Sequence, residues 1–511
     1  MDVSRRWFIG GLAGLLGARP GRIFADATGA FAQGRPNLVF GVLSDVHVCL
    51  EKGGQSFLKQ YDVETLTQAF AWFRDHGADA VVIAGDMAHS GLAGELKGVA
   101  DAWFKVFPDD KAPDGRPVAR IFVFGNHDWS SPGRAAEVYS DKAERRAQQL
   151  FADPKKWWGE LFHEDWTPFV RKEVKGYSFV GAHWCHGGCT GKDEVFTKGM
   201  KEFYAGLKLD PARPFFHVQH PQPKGTAHGD KVWGQDDGTS TAILSAHPNA
   251  VAFSGHSHTS LLDEKTIWQG AFTSVGCGSL RNVNPALPGL FSPLGGLENY
   301  KSPKSRKAHD AYEALKVMKM LDGYNCRQGQ LVRVFKDRLV FSRREFVTDV
   351  ALGPDLVLPL PAAETKPFAF APRLARAEAP AFPPDAKLVV KKGKGWTRAG
   401  GKKGPEHDTW SVFFPPATAR KGAVPTTYEI RVKDPSGQKD LSFGLAGFGT
   451  RFPASDPRTR KPLVFRVRCD RVAAEPKFEV YAYSCWAKRS APLTGTGAGP
   501  QHRSDEGKVM S

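Results

Sequence analysis

The chain is poor in features that would assign it to a class at once. It has 7 cysteines in 511 residues, an odd number, so at least one stays unpaired within a monomer. No two of them stand in the CxxC spacing that builds a structural zinc site. The nearest pairs, Cys185/Cys189 and Cys469/Cys485, leave any disulfide connectivity open, and Cys49 reads as a packed residue. Beyond the first residues no apolar run is long enough to read as membrane-spanning, so no transmembrane domain is expected there. No internal repeat is present, which excludes a solenoid.

What is present is globular. Hydrophobic residues make up 41% and charged residues 24%, with 35 Phe and 13 Trp, enough for a large core. At roughly 100–200 residues per domain the length suggests two or three domains. The 54 Gly and 36 Pro point to a loop-rich enzyme rather than a helical bundle. The formal charge is +16; without residues 1–27, which hold four Arg and two Asp, it is about +14. A basic surface attracts anions such as phosphate esters, nucleic acid or acidic glycans. A solvated surface with no specific partner is the alternative, and no specific nucleic-acid partner is inferred.

The N-terminus carries Ser4-Arg5-Arg6-Trp7-Phe8 followed by a short apolar run to Ala18. This resembles a twin-arginine export signal, with small-residue cleavage sites at Ala25-Asp26-Ala27 and Ala30-Phe31-Ala32. The resemblance makes residues 1–32 a leader. It implies a periplasmic or extracellular protein, membrane-anchored if the leader is retained, that folds and loads its cofactor before crossing. A basic tail with no sorting role is the alternative.

Short apolar runs at 37–44, 80–84 and 119–124 read as buried strands. Helical patterns at 61–76, with Leu66, Phe70 and Phe73 on one face, and at 94–106 separate them. This is the βαβ rhythm of an α/β sheet. Further strands are expected at 177–182, 215–219, 250–254, 266–275 and 330–346, while 140–175 reads as helix and then loop. These make one catalytic domain over 35–350. A Pro-rich linker is expected over 351–385, a small all-β, sandwich-like domain over 386–493 and a disordered tail over 494–511. In the small domain the basic run Lys391 to Lys403 reads as a solvated loop, or as a surface for an anionic ligand.

Polar residues cluster where the catalytic strands end, the place where open α/β sheets put their sites. In order they are Asp45-x-His47, Gly85-Asp86, Gly125-Asn126-His127-Asp128, His220, and Gly255-His256-x-His258. Carboxylates, imidazoles and a carboxamide are the donors that two divalent ions need, with one carboxylate to bridge them. Such a pair can clamp a phosphoryl group.

The order and spelling of these five blocks closely resemble the calcineurin-like metallophosphoesterase family, over about residues 37–345. The resemblance implies an α/β fold, an αββα sandwich, and a phosphoesterase with two divalent metal ions (Mn, Fe or Zn). By that resemblance Asp45, His47 and His258 hold one ion, Asp86 bridges, and Asn126, His220 and His256 hold the other. A hydroxide held by the ions attacks phosphorus. His127 stabilises the transition state or protonates the leaving oxygen, and Asp128 orients His127. His217 is the alternative to His220; His220 is favoured because it ends a strand beside Pro221. His89 and His47 set the chain apart from purple acid phosphatases, which have a Tyr at the first position and lack the second.

His183, His186 and Arg281, with Asn282, are candidate contacts for an anionic phosphoester substrate. His183 and His186 read equally as a loop staple with Cys185 and Cys189. The expected activity is hydrolysis of a phosphomonoester, phosphodiester or pyrophosphate by an exported enzyme. The competing reading is a surface or glycan-binding protein whose working part is the C-terminal β-domain.

Overall fold

The computed structural model describes residues 34–50, 60–185, 194–229, 232–281, 283, 326–399, 402–418, 425–447, 449, 452–453 and 456–497. The leader, His186, Cys189, Asn282 and the end of the tail lie outside these residues.

Two mixed sheets form the centre of the catalytic region. The first contains the parallel strands β1 (Leu38–Leu43), β2 (Ala80–Ala84) and β3 (Ala119–Val123). The second contains β4 (Phe169–Val174), β5 (Tyr177–Ala182), β6 (Phe215–Gln219), β7 (Ala250–Ser254), β8 (Ile267–Gln269) and β9 (Thr273–Gly276), in the order β4-β5-β6-β7-β9-β8. The chain then returns to the first sheet with β10 (Gln328–Val334), β11 (Arg338–Glu345), β12 (Val350–Ala351) and β13 (Leu356–Pro359). Its order is β12-β11-β10-β1-β2-β3, with β13 also on β11.

Side-chain alternation explains the layering. On β1, Leu38, Phe40 and Val42 face the second sheet, while Val39 and Leu43 face the helices. Phe40 sits among Phe179, Phe216 and Phe253 of the opposite sheet, at ring-centroid distances of 5.2, 4.7 and 5.7 Å. The helices α1 (Gln60–Asp75) and α2 (Ala93–Val106) cover the first sheet, and Leu66, Phe70 and Phe73 are fully buried there as their spacing requires. The helices Glu194–Ala205 and Thr239–Leu244 cover the second. The result is the expected αββα sandwich.

The C-terminal region is all-β. One antiparallel sheet holds Val389–Ala399, Lys402–Phe414 and Leu463–Arg468; the other holds Asp440–Ala446, Pro425–Lys433, Lys477–Ser484 and Leu493–Thr496. Trp410, Val412 and Phe465 from one meet Tyr428, Ile430 and Val480 from the other in a shared core. Trp486 Nε1 of this region donates to Glu264 Oε2 beside β8, at 2.7 Å.

Four local readings change. The tail expected to be disordered from 494 begins as strand, since Leu493–Thr496 pairs antiparallel with Lys477–Ser484. The basic run at Lys391 is paired strand, not loop, although Lys394 and Asp408 are exposed along it. Residues 169–174, read as loop, form the edge strand β4. Within 351–385, Leu356–Pro359 pairs antiparallel with β11 and Phe370–Arg376 is helical. Cys469 and Cys485 are thiols rather than a disulfide. Among the described residues no helix is long and apolar enough to cross a membrane.

Candidate metal centre

All seven candidate donors follow parallel strands directly. Asp45 and His47 follow β1, Asp86 follows β2, Asn126 follows β3, His220 follows β6, and His256 and His258 follow β7. The first four thus come from one sheet and the last three from the other, so the donors meet across the seam.

Five of the seven sit on left-handed backbone: Asp45 (φ 52°), His47 (49°), Asp86 (55°), His256 (69°) and His258 (53°). Each such residue costs of order 1 kcal/mol or more and persists only where its surroundings hold it. Here the strand ends hold one another. Asp45 N–H donates to Gly85 O at 3.0 Å and His47 N–H to Asp86 O at 2.8 Å. Gly255 N–H donates to His220 O at 2.9 Å. Gly255 has no room for a side chain, since a Cβ there would collide with Ser44 Oγ and Asp45 Oδ2.

The donor atoms of the candidate set fall into two groups, beside a third of His47, His89 and His127. Asp45, His47 and His258 form one, and Asp86, His220 and His256 the other. In the first, His258 Nε2 lies 3.1 Å from Asp45 Oδ1 and 3.2 Å from His47 Nε2. In the second, His220 Nε2 lies 3.2 Å from Asp86 Oδ2 and 3.0 Å from His256 Nδ1. Asp86 Oδ2 is also 3.5 Å from His47 Nε2, so one oxygen faces both groups. Asp86 Oδ1 is occupied separately by the His127 N–H at 2.8 Å.

Two observations make this a cation site. Imidazole nitrogens face each other at hydrogen-bond distance, and a shared proton or a shared cation is needed to reconcile each pair. Asn126 Oδ1 is buried with no hydrogen-bond partner, an acceptor left for something the chain does not supply. Carboxylate, imidazole and carboxamide donors suit a divalent metal ion.

The electrostatics agree. Burial pulls His47 well below its ordinary pKa and pushes His256 down to about 3, so both present lone pairs. Burial is the largest single influence on His220 and pulls it down, but the charge and hydrogen bond of Asp86, the Asp45 charge and the Ala84 carbonyl together hold it up at about 9. Burial would raise Asp45 and Asp86, yet the imidazoles beside them, His258 and His220 foremost, hold both below the usual carboxylate range. His220 Nδ1 lies 2.8 Å from the Ala84 carbonyl; donating there fixes the ring and leaves Nε2 for the centre.

His220, not His217, reaches the cluster. His217 is held by Tyr204 Oη and Gln219 Oε1, both at 2.8 Å. His127 stands beside the first group, its ring centroid 4.5 Å from that of His47. Its Nδ1 lies 2.7 Å from the His89 carbonyl.

Asp128 does not orient His127. Its carboxylate accepts from Gly125 N–H (2.7 Å), Ala88 N–H (2.6 Å) and Met87 N–H (3.2 Å), stapling the turn after β2 to the turn after β3. Burial and then the Asp86 charge push its carboxyl up to about 8, against the pull of those three donors. Asp128→Ala orphans three backbone donors at roughly 1–3 kcal/mol each. It is therefore expected to lower stability by about 3 kcal/mol, read as an earlier urea midpoint, with Asp128→Asn losing less. An unchanged midpoint in the alanine variant would refute the staple.

The weaker candidates are placed elsewhere or otherwise engaged. His183 is buried against Phe124, Trp158 and Trp166, and its Nδ1 accepts the Phe124 N–H at 3.0 Å. Arg281 donates to the His47 carbonyl at 2.6 Å and reaches Asp62 at 3.5 Å, so it braces a donor's backbone. Two residues at the centre carry no motif signal. Arg134 places Nη1 2.8 Å from His127 Nε2, and Trp233 lies over His256.

Comparison with known proteins assigns part of the chain. Residues 38–260 match the model described as calcineurin-like phosphoesterase. No curated protein matches the chain. Similar solved structures include a dimetal phosphatase from Danio rerio, 12% identical, covering 63% of this chain and 99% of that one with a TM-score of 0.33. A purple acid phosphatase from yellow lupin (Lupinus luteus) seeds is 11% identical, covering 64% of this chain and 55% of that one with a TM-score of 0.35. With its donor set at the strand ends of the matched segment, residues 38–260 form a calcineurin-like phosphoesterase domain, which supports a phosphoester hydrolase.

Proposed function

We propose that the protein is an exported two-metal phosphoesterase acting on an anionic phosphomonoester, phosphodiester or pyrophosphate. The observation that carries the two-metal reading is Asp86 Oδ2, which faces His47 Nε2 at 3.5 Å and His220 Nε2 at 3.2 Å. Asp45, His47 and His258 would hold one ion and Asn126, His220 and His256 the other, with Asp86 shared. Such ions supply Lewis acidity toward the phosphoryl oxygens.

The chain's own residues do the rest. His127 donates through Nδ1 to the His89 carbonyl, and Nε2, which Arg134 Nη1 approaches at 2.8 Å, would hold or pass a proton at the leaving oxygen once the guanidinium gives way. Arg134 borders the same edge of the ring with a fixed positive charge. Residues 35–350 are proposed as the catalytic domain, 386–493 as an accessory domain, and 1–32 as the leader.

The metal-loaded protein is expected to cleave at least one of p-nitrophenyl phosphate, bis-p-nitrophenyl phosphate and pyrophosphate, and to stop on chelation. In fractionated cells the activity is expected outside the cytoplasm, and inside it when Arg5 and Arg6 are both replaced by lysine. A protein that binds no divalent metal and cleaves none of the three would sink the hydrolase; unchanged location would sink the export.

A further inference from the structure

Trp233 is 49% exposed, the most exposed of the large hydrophobic side chains among the described residues. Its ring centroid lies 4.3 Å from that of His256, with 31° between the planes. Trp184 approaches the same histidine from another direction, at 5.5 Å. Two indoles therefore border the outer donor of the second group, and one of them stands in solvent.

The exposed indole is not on a loose loop. Gln222 N–H donates to Gly234 O at 3.0 Å, and Asp236 N–H donates back to Gln222 O at 2.9 Å. Gln235 Nε2 donates to Gly229 O and Val232 O at 3.1 and 3.0 Å, and its Oε1 accepts the Gly225 N–H at 2.9 Å. Gln222 Nε2 in turn donates to Gly255 O at 2.8 Å and Ser257 Oγ at 2.7 Å, inside the donor segment itself. Gly234, at φ +90°, lets the loop lie against His256, whose Cγ would be 3.1 Å from a Cβ there. The loop thus carries Trp233 in fixed register with the centre.

A rigid, half-exposed indole offers a flat face at low entropic cost, and any planar ring can stack on it. We propose that Trp233 is a stacking platform for a planar aromatic ring carried by the phosphoester, of the nucleobase class, which makes a nucleotide-like ester the preferred substrate class. This rests on the phosphoesterase reading above, because the platform acts only when the phosphoryl group is held at the centre.

The test compares adenosine 5′-monophosphate with ribose 5-phosphate, which share the phosphorylated primary alcohol and differ by the base. Affinities for the metal-loaded full chain are measured by calorimetry, with metal content assayed in parallel. The native protein is expected to favour the nucleotide by about tenfold, the scale of one stacked base. Trp233→Ala should bring the ratio near unity without changing ribose 5-phosphate binding, and Trp233→Phe should keep most of the preference. Equal affinities in the native protein, or a ratio unmoved in Trp233→Ala, would overturn the platform. A joint loss of both affinities and of metal would make Trp233 a cover for His256, which also overturns it. Binding of neither anion by the native protein would instead sink the phosphoesterase reading, and the platform with it.

Discussion

Asp86→Ala is expected to strip the protein of most of its divalent metal and to lower kcat/KM by about a thousandfold or more, the equivalent of several kcal/mol of lost charge stabilisation. The expectation follows from how the carboxylate is divided. Oδ2 faces both donor groups, at 3.2 and 3.5 Å from their imidazoles, so its removal opens both at once. Oδ1 carries the His127 N–H, so the turn after β3 loses its anchor as well. The charge matters in its own right, because Asp86 is the main contributor among those that hold His220 at about 9 against burial. Asp86 sits at φ 55°, which alanine tolerates poorly. Asp86→Asn is therefore the companion variant: asparagine accepts that conformation and can keep the His127 hydrogen bond through Oδ1, while an NH2 replaces Oδ2 and the charge is lost. Metal content by elemental analysis and steady-state kinetics should fall together in both variants. Full metal occupancy in Asp86→Asn would show that the bridge is not needed.

His127→Ala is expected to separate what Asp86→Ala joins. Metal content should stay at the native level while kcat falls by about 10²–10⁴, the range for losing a positioned proton donor. The His127 side chain holds none of the seven donors. Its backbone N–H, which anchors Asp86, survives the substitution. The ring is held at Nδ1 by the His89 carbonyl, and Arg134 Nη1 lies 2.9 Å from Nδ1 and 2.8 Å from Nε2. Native turnover in this variant would remove His127 from the chemistry, and loss of metal would move it into the cage.

Much of this arrangement is legible in the sequence because the buried parallel strands announce themselves. β1 and β2 are uninterrupted apolar runs and β6 and β7 are buried along their whole length, and the polar residues that follow them come out at the sheet edge. The choice of His220 over His217 has the same origin: His217 is still within the strand, where its ring points to Tyr204, and His220 lies just past it. The strands that went unread lack that signature. β4 reads Phe-Val-Arg-Lys-Glu-Val because it is an edge, with one face half-exposed. Val389–Ala399 is lysine- and glycine-rich, and it is a strand because its partner, ending in Trp410 to Phe414, has the apolar residues.

Roles that depend on which atom meets which are not legible. Asp128 looks like the partner of its neighbour His127, but a turn places its carboxylate under three backbone N–H groups instead. Arg281 looks available to a substrate, but it lies within reach of the His47 carbonyl. Arg134 and Trp233 belong to no motif, and only the fold brings them to the centre.

The split of the donors between two sheets has one more consequence. Asp45, His47, Asp86 and Asn126 ride on one sheet; His220, His256 and His258 ride on the other. The core between the two sheets sets the gap between them, and the packing of Phe40 against Phe179, Phe216 and Phe253 is part of it. That cluster works as a caliper for the cage. A change in ring size there resets the jaw opening, and it would be felt first as altered selectivity among ions of different radius, while the fold itself still stands.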